Sequence, residues 1–179
     1  MADRRLTGVL LVGGASRRFG SPKALARLEG ETLAERAWRV LGEACEERLA
    51  VGKEGELELP FEVIDDGTGV RAPIAGVVAG LRAAANDVVV FLPVDAPLVT
   101  PKLVRELGEN CVEVAIPTTG PLPGAYAKSA LPVLERRLEA GDLALRDALA
   151  ELEVAVVAVD AEVLRNVNWP EDLARLAQA

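Results

Sequence analysis

The sequence predicts an α/β fold: a three-layer structure with a mostly parallel central sheet flanked by helices. Three observations carry this. Short apolar runs without alternation recur, Thr7 to Val12 and Val88 to Leu92 above all, and such runs fit strands buried on both faces. Segments with apolar residues at helical spacing stand between them. Turn residues, among them Gly52, Asp65-Asp66-Gly67 and Gly141-Asp142, separate one from the next. Strands that alternate with helices pack as a parallel sheet covered on both sides. The 179 residues are the size of one domain, taken here as 1–179, and neither a linker nor an internal repeat divides them. A chain of this length buries roughly 70% of its unfolded surface and needs no staple.

In chain order, Thr7 to Val12 is the first strand, and a glycine-rich loop follows it. Pro22 and Gly30 delay a helix until Thr32, after which Leu33, Ala37, Val40 and Leu41 mark a helix to Ala44. Arg48 to Val51 and Phe61 to Ile64 are short strands, ended by Gly52 and by Asp65-Asp66-Gly67. Ile74 to Ala85 is a helix of small residues, and Gly76 and Gly80 on one face imply close packing against the sheet or a ligand. Val88 to Leu92 is the most apolar strand and therefore a central one. Thr100-Pro101 supplies an N-cap and a first-turn proline for a helix that stops near Gly108. Strands are expected at Val112 to Ile116 and Gly124 to Ala127, with a flexible Pro/Gly-rich loop between them. Helices over Ala130 to Glu139 and Leu143 to Leu149, a strand over Val154 to Val159 and a helix over Pro170 to Ala177 complete the chain.

Composition excludes much. The net charge is −8 and aromatic residues are 3%, which argues against a nucleic-acid surface. No apolar run approaches the ~20 residues of a membrane span. Asp3, Arg4 and Arg5 precede only a short strand, so no signal peptide and a cytoplasmic location are expected. Cys45 and Cys111 form no metal spacing and are expected to be reduced. The chain has no histidine, which removes Ser-His-Asp and Cys-His chemistry and the usual zinc sites. Catalysis must run on carboxylates, cations, backbone amides and a hard metal.

The stretch Leu10-Leu11-Val12-Gly13-Gly14-Ala15-Ser16-Arg17-Arg18-Phe19-Gly20-Ser21-Pro22-Lys23 concentrates such groups. Glycines leave no Cβ between backbone and ligand, and successive exposed N–H groups form an anion cradle. Arg17, Arg18 and Lys23 carry positive charge that needs a counter-anion if buried. The substrate is therefore expected to be anionic. A Walker loop requires Ser or Thr after its lysine, and here Ala24 follows Lys23. A dinucleotide fingerprint opens directly into a helix, which Pro22 prevents. Ligands in such sheets bind beyond the carboxyl ends of strands, and this loop sits at one. Asp95, between Pro93 and Pro97 at the tip of the central strand, sits at another; taken alone it is a turn or cap residue.

The loop resembles the signature L-A-G-G-x-S-x-R-M-G-x-x-K of the nucleotidyltransferases that modify molybdopterin, the guanylyltransferases in particular. Gly13, Gly14, Ser16, Arg18, Gly20 and Lys23 match position by position, while Val12 replaces the usual Ala and Phe19 the usual Met. Asp95-Ala96-Pro97 matches the family's D-x-P. Asn166-Val167-Asn168-Trp169-Pro170-Glu171-Asp172-Leu173 resembles N-x-N-T-P-E-D-L, with Trp169 for Thr. Arg71-Ala72-Pro73-Ile74-Ala75-Gly76 resembles G-P-L-A-G, with Ala72 for Gly. The resemblance touches segments from Thr7 to Leu173.

It implies a Rossmann-like nucleotidyltransferase fold and transfer of GMP from GTP to the terminal phosphate of molybdopterin, with pyrophosphate released. It implies that Val12, Gly13, Gly14, Ser16 and Arg18 bind the nucleotide and that Lys23 stabilises charge at the α-phosphate. It further implies that Asp95, with Asn168, positions Mg2+ or Mn2+, and that cofactor-delivery proteins are partners. The family's Asn-Arg pair after the second strand, whose Asn helps to recognise guanine, is replaced by Gly52-Lys53. The family's base-reading Asp falls at Asp65 by counting back from Pro73, with Asp66 adjacent. Two alternatives stand beside this reading: a sister enzyme with a cytidylyl or other specificity, and a degenerate nucleotide-binding regulatory protein.

Overall fold

The computed structural model describes residues 4–13, 19–53 and 55–178. Strands β1 (Leu6–Leu11), β4 (Glu47–Gly52), β5 (Val63–Asp65), β6 (Val88–Pro93), β7 (Val114–Pro117), β8 (Gly124–Ala127) and β9 (Val154–Val157) form one sheet in the order β5-β4-β1-β6-β8-β7-β9. All neighbours are parallel except β8, which runs antiparallel to both β6 and β7. A parallel pair needs a crossover connection, and the short loop between β7 and β8 allows only a return. The mostly parallel sheet expected from the sequence is thus observed, with one reversed strand.

Helices α1 (Leu33–Ala44) and α3 (Pro101–Asn110) cover one face; α2 (Pro73–Ala83) and α4 (Leu131–Ala140) cover the other. The period of two along the central strands divides the core. In β6, Val88, Val90 and Leu92 pack with Leu41, Leu103 and Leu107. Val89 and Phe91 pack on the opposite side with Val77, Leu81 and Leu134. Both sets are buried, which is why these strands show no polar alternation. Helix α1 begins at a capping box: the Thr32 hydroxyl accepts from the Glu35 N–H, and the Glu35 carboxylate accepts from the Thr32 N–H. Before it lies a hairpin that the sequence pattern does not reveal, β2 (Arg27–Leu28) with β3 (Glu31–Thr32), turned by Glu29 and Gly30 at φ 53° and 87°. Two-residue strands are too short to show any period.

Helix α3 continues past Gly108 to Asn110, contrary to the expected stop. Gly108 is there for proximity: a Cβ would lie 2.5 Å from Leu6 Cδ1. Gly76 and Gly80 of α2 likewise admit the sheet, since a Cβ would meet Leu11 Cδ2 at 2.8 Å and Phe91 Cε1 at 2.6 Å. The loop between β7 and β8 is tied down where Tyr126 donates its hydroxyl hydrogen to the Pro121 carbonyl at 2.9 Å. Helices α5 (Leu145–Ala148) and α6 (Pro170–Leu176) end the chain on either side of β9. No helix among the described residues is long and apolar enough to cross a membrane.

The segment before α6 is anchored to the loop after β6. Val167 is fully buried with Phe19, Leu28 and Leu33, and its N–H donates to the Asp95 carbonyl at 2.8 Å. Asp172 accepts from the Asn168 and Trp169 N–H groups at 2.8 and 2.9 Å. These two bonds, with Arg175 and Lys23 nearby, hold the Asp172 carboxyl below the ordinary aspartate value of 3.8.

Two expectations follow. Gly80→Ala gains about 1 kcal/mol of helix propensity but drives a methyl into a buried ring, at a cost of about 1–3 kcal/mol. Overpacking wins, so the urea midpoint should fall with an unchanged m-value; an unchanged midpoint would mean that α2 shifts freely on the sheet. The Asp172 carboxyl has a depressed pKa, so its contribution is present above the ordinary value and lost as pH falls through the lowered one. Amide protection at Asn168 and Trp169 should therefore hold at neutral pH and fall on strong acidification, before the core opens. In Asp172→Ala it should be reduced at every pH, as hydrogen exchange would register.

Candidate functional site

Strand order reverses beside β1. From it the chain runs outward through β4 to β5, then returns to place β6 on the other side. Such a switch point opens a crevice at the carboxyl ends of the strands. A cavity of about 740 Å3 lies there. Val12 and Gly13, just beyond β1, line it, as do Lys23, Gly52 and Lys53, Asp66, Gly76 at the first turns of α2, and Asp95 beyond β6.

Lys23 lies in a short helical turn, residues Lys23–Leu25, and its side chain is only 17% exposed. Its ammonium stands 3.6 Å from Asp95 Oδ2. A mostly buried lysine requires a counter-anion, and Asp95 is one. The two motifs that the sequence placed 72 positions apart thus meet across the crevice. Gly13 is exposed at the cavity wall, and a side chain there would meet nothing closer than Gly52 Cα at 3.5 Å. Gly14, Ser16 and Arg18, assigned to the phosphate loop, lie outside the described residues. Phe19 and Gly20 end the loop; Phe19 is buried, and Gly20 takes φ 73°.

Of the two aspartates after the third strand, the structure puts Asp66 in the cavity wall. Asp65 sits at an exposed turn, where its Oδ1 accepts from the Gly67 N–H at 2.7 Å. Counting residues favours Asp65, and the turn geometry favours Asp66. Asp66 Oδ1 accepts from Lys53 Nζ at 2.5 Å, the Thr68 N–H at 3.0 Å and the Thr68 hydroxyl at 3.1 Å. Lys53 also donates to the Thr68 carbonyl. Lys53 and Asp66 are 14% and 9% exposed. At the rim, Arg71 pairs with Glu56 and draws its carboxyl below the usual range.

Both asparagines are exposed, but Asn166 lines the cavity and Asn168 does not. Both flank the buried Val167, and of the two amides Asn166 is the one at the cavity. Gly52 has a steric reason as well: a Cβ there would lie 2.7 Å from Val12 Cγ2 and 3.2 Å from the Gly13 nitrogen.

Among the described residues no group of three or more His, Cys, Asp or Glu side chains is placed to hold a metal. One carboxylate in the cavity wall suits Mg2+, which keeps most of its shell for water and substrate oxygens. Asp95 fits that role. The cysteines take no part: burial raises the thiols of Cys45 and Cys111 to about 12 and about 11, so both stay protonated.

Known proteins resemble this chain in sequence and in fold. The MobA-like NTP transferase domain matches residues 8–160. A probable molybdenum cofactor guanylyltransferase from Deinococcus radiodurans is 38% identical over 182 residues, covering 96% of this chain and 94% of that one. One from Opitutus terrae is 36% identical, covering 93% and 92%. The crystal structure of molybdopterin-guanine dinucleotide biosynthesis protein A from Archaeoglobus fulgidus superposes with a TM-score of 0.83 at 28% identity, covering 96% of this chain and 97% of that one. With the match spanning most of the sheet and both strand ends of the crevice, the chain belongs to the MobA-like NTP transferase family.

Proposed function

We propose that this chain transfers GMP from GTP to the terminal phosphate of molybdopterin. The observation that carries the reading is the Lys23–Asp95 pair, 3.6 Å apart in a cavity at the carboxyl ends of β1 and β6. The near-full-length similarity to proteins named for this activity supports it.

In the reaction an oxygen of the molybdopterin phosphate forms a bond to Pα of GTP. The bond from Pα to the oxygen bridging to the β-phosphate breaks, and pyrophosphate leaves with the electron pair. The nucleophile is a phosphate monoester whose second pKa is about 6, so it attacks without a general base. That accounts for a site without histidine. Catalysis consists of aligning two anions and neutralising the charge between them. Lys23 supplies positive charge at the α-phosphate. Gly13, Gly14, Ser16 and Arg18 are the residues to which the motif resemblance assigns the triphosphate. Asp95 would hold Mg2+ or Mn2+, with Asn168 or the nearer Asn166 as an amide donor. When bound, the metal would offset phosphate charge. Asp66 is the carboxylate that faces the base. A cytoplasmic enzyme of this kind would hand its product to cofactor-delivery partners.

Pyrophosphate release should require GTP, molybdopterin and Mg2+ or Mn2+ together, and should stop in excess chelator. Lys23→Ala should lower turnover at least ~10²-fold, as loss of one transition-state donor does, and Asp95→Asn should abolish it. Asn168→Ala should be milder. Near-normal turnover in Lys23→Ala would remove that residue from the mechanism, and a preference for CTP would move the assignment to cytidylyl transfer.

A further inference from the structure

Lys53 stands where the resemblance expects an arginine, and the expected base-reading asparagine beside it is absent. What occupies that end of the cavity is a buried ion pair with unequal commitments. An ammonium has three N–H donors. Lys53 gives one to Asp66 Oδ1 and one to the Thr68 carbonyl, leaving one uncommitted among the described residues. Asp66 takes its three bonds on Oδ1, from Lys53, the Thr68 N–H and the Thr68 hydroxyl. Both residues line the cavity with mostly buried side chains, and the groups they leave without a partner among the described residues are one N–H donor and one carboxylate oxygen, Oδ2.

We propose that Lys53 is a specificity-determining residue that reads the purine directly, donating to O6 while Asp66 Oδ2 accepts from the neighbouring N1–H. The proposal rests on the guanylyl-transfer reading and adds a second reader to it. A donor next to an acceptor complements the keto and N1–H groups of guanine and hypoxanthine. It opposes the 6-amino group and bare N1 of adenine, whose donor would face a cation and whose acceptor would face a carboxylate. Buried polar groups left unmatched in this way reject the wrong base strongly. Lys53 is pre-organised to donate there, because pairing with Asp66 and Thr68 fixes an otherwise flexible side chain before substrate arrives.

Nucleotide analogues separate the readers. Inosine triphosphate keeps O6 and N1–H and lacks the 2-amino group; 2,6-diaminopurine riboside triphosphate keeps the 2-amino group and lacks both others. Calorimetry on the full chain with Mg2+ should place inosine triphosphate within about 10-fold of GTP and the diaminopurine nucleotide at least about 100-fold weaker. In Lys53→Met, GTP and inosine triphosphate should each weaken about 10- to 100-fold while the diaminopurine nucleotide changes little, and Lys53→Arg should restore part of the gap. Equal weakening of all three in Lys53→Met would mean that Lys53 contributes only charge or packing common to every nucleotide, and would overturn direct reading. If Lys53→Met fails to fold, the wild-type series decides, since equal affinity for GTP and the diaminopurine nucleotide overturns the proposal. Failure of the underlying reading looks different: no pyrophosphate would be released from GTP and molybdopterin, whatever the analogues do.

Discussion

Two parallel strands, β1 and β6, lie side by side while their connections leave in opposite directions, and the rest of the site depends on that constraint. Backbone that diverges above adjacent strand ends cannot fill the space between. The core fixes how far apart the two loops stand. Val9 and Leu11 pack below one helical layer, Leu6 and Leu10 below the other, and all are buried. The glycines at 76 and 80 bring α2 down onto the same strands. Lys23 and Asp95 therefore face each other because the strands beneath them are paired in register, Leu11 opposite Pro93. A further tie, from the Val167 N–H to the Asp95 carbonyl, carries the C-terminal segment to the same point.

The electrostatics follow from what the crevice contains. The protein carries 28 acidic and 20 basic side chains, so its average field repels an anionic substrate. Local positive charge must overcome that repulsion, and at short range it can, because charges beyond about 8–10 Å are screened at ordinary salt. Lys23 at one end of the cavity and Lys53 at the other are each held by a carboxylate. Neither is a bare buried cation. An anion entering such a cavity meets cations already solvated by carboxylates, which costs less than charging an apolar pocket would.

The seven sheet strands and the principal helices were legible in the sequence because buried parallel strands and amphipathic helices leave strong periodic traces. The hairpin around Gly30 was not, since two residues carry no period. Strand β5 begins at Val63 rather than Phe61 because the Phe61 ring leaves the sheet to stack on Trp38 at 4.2 Å. Gly108 looked like a helix end and is a contact with Leu6. At the site, residue types were legible and orientations were not. Position in the chain could not distinguish Asp65 from Asp66, because that choice depends on which side of a turn meets the crevice, or Asn166 from Asn168, because that one depends on how far along the segment the crevice reaches. Lys53 stood out only as a lysine in place of arginine beside a missing amide until its ion pair could be seen.

The departures at positions 12 and 52 are linked by packing. Val12 is buried and stands where the resemblance expects alanine; Gly52 stands where it expects asparagine. A Cβ at position 52 would come within 2.7 Å of Val12 Cγ2, a separation that real side chains do not adopt. The other near atom is the Gly13 nitrogen at 3.2 Å, in the backbone of the phosphate loop, which has less freedom to yield. With valine at 12, then, a side chain at 52 would push either on the core or on the backbone at Gly13, where the proposed triphosphate loop begins. Glycine resolves the conflict, and its lost side chain removes an amide from the base end of the cavity. In the proposed reading, base recognition then comes from side chains that line the same cavity from elsewhere, Lys53 just beyond β4 and Asp66 just beyond β5. The Asp66 N–H donates to the Gly52 carbonyl at 3.0 Å, so the reader's backbone is fastened to the residue whose side chain is missing.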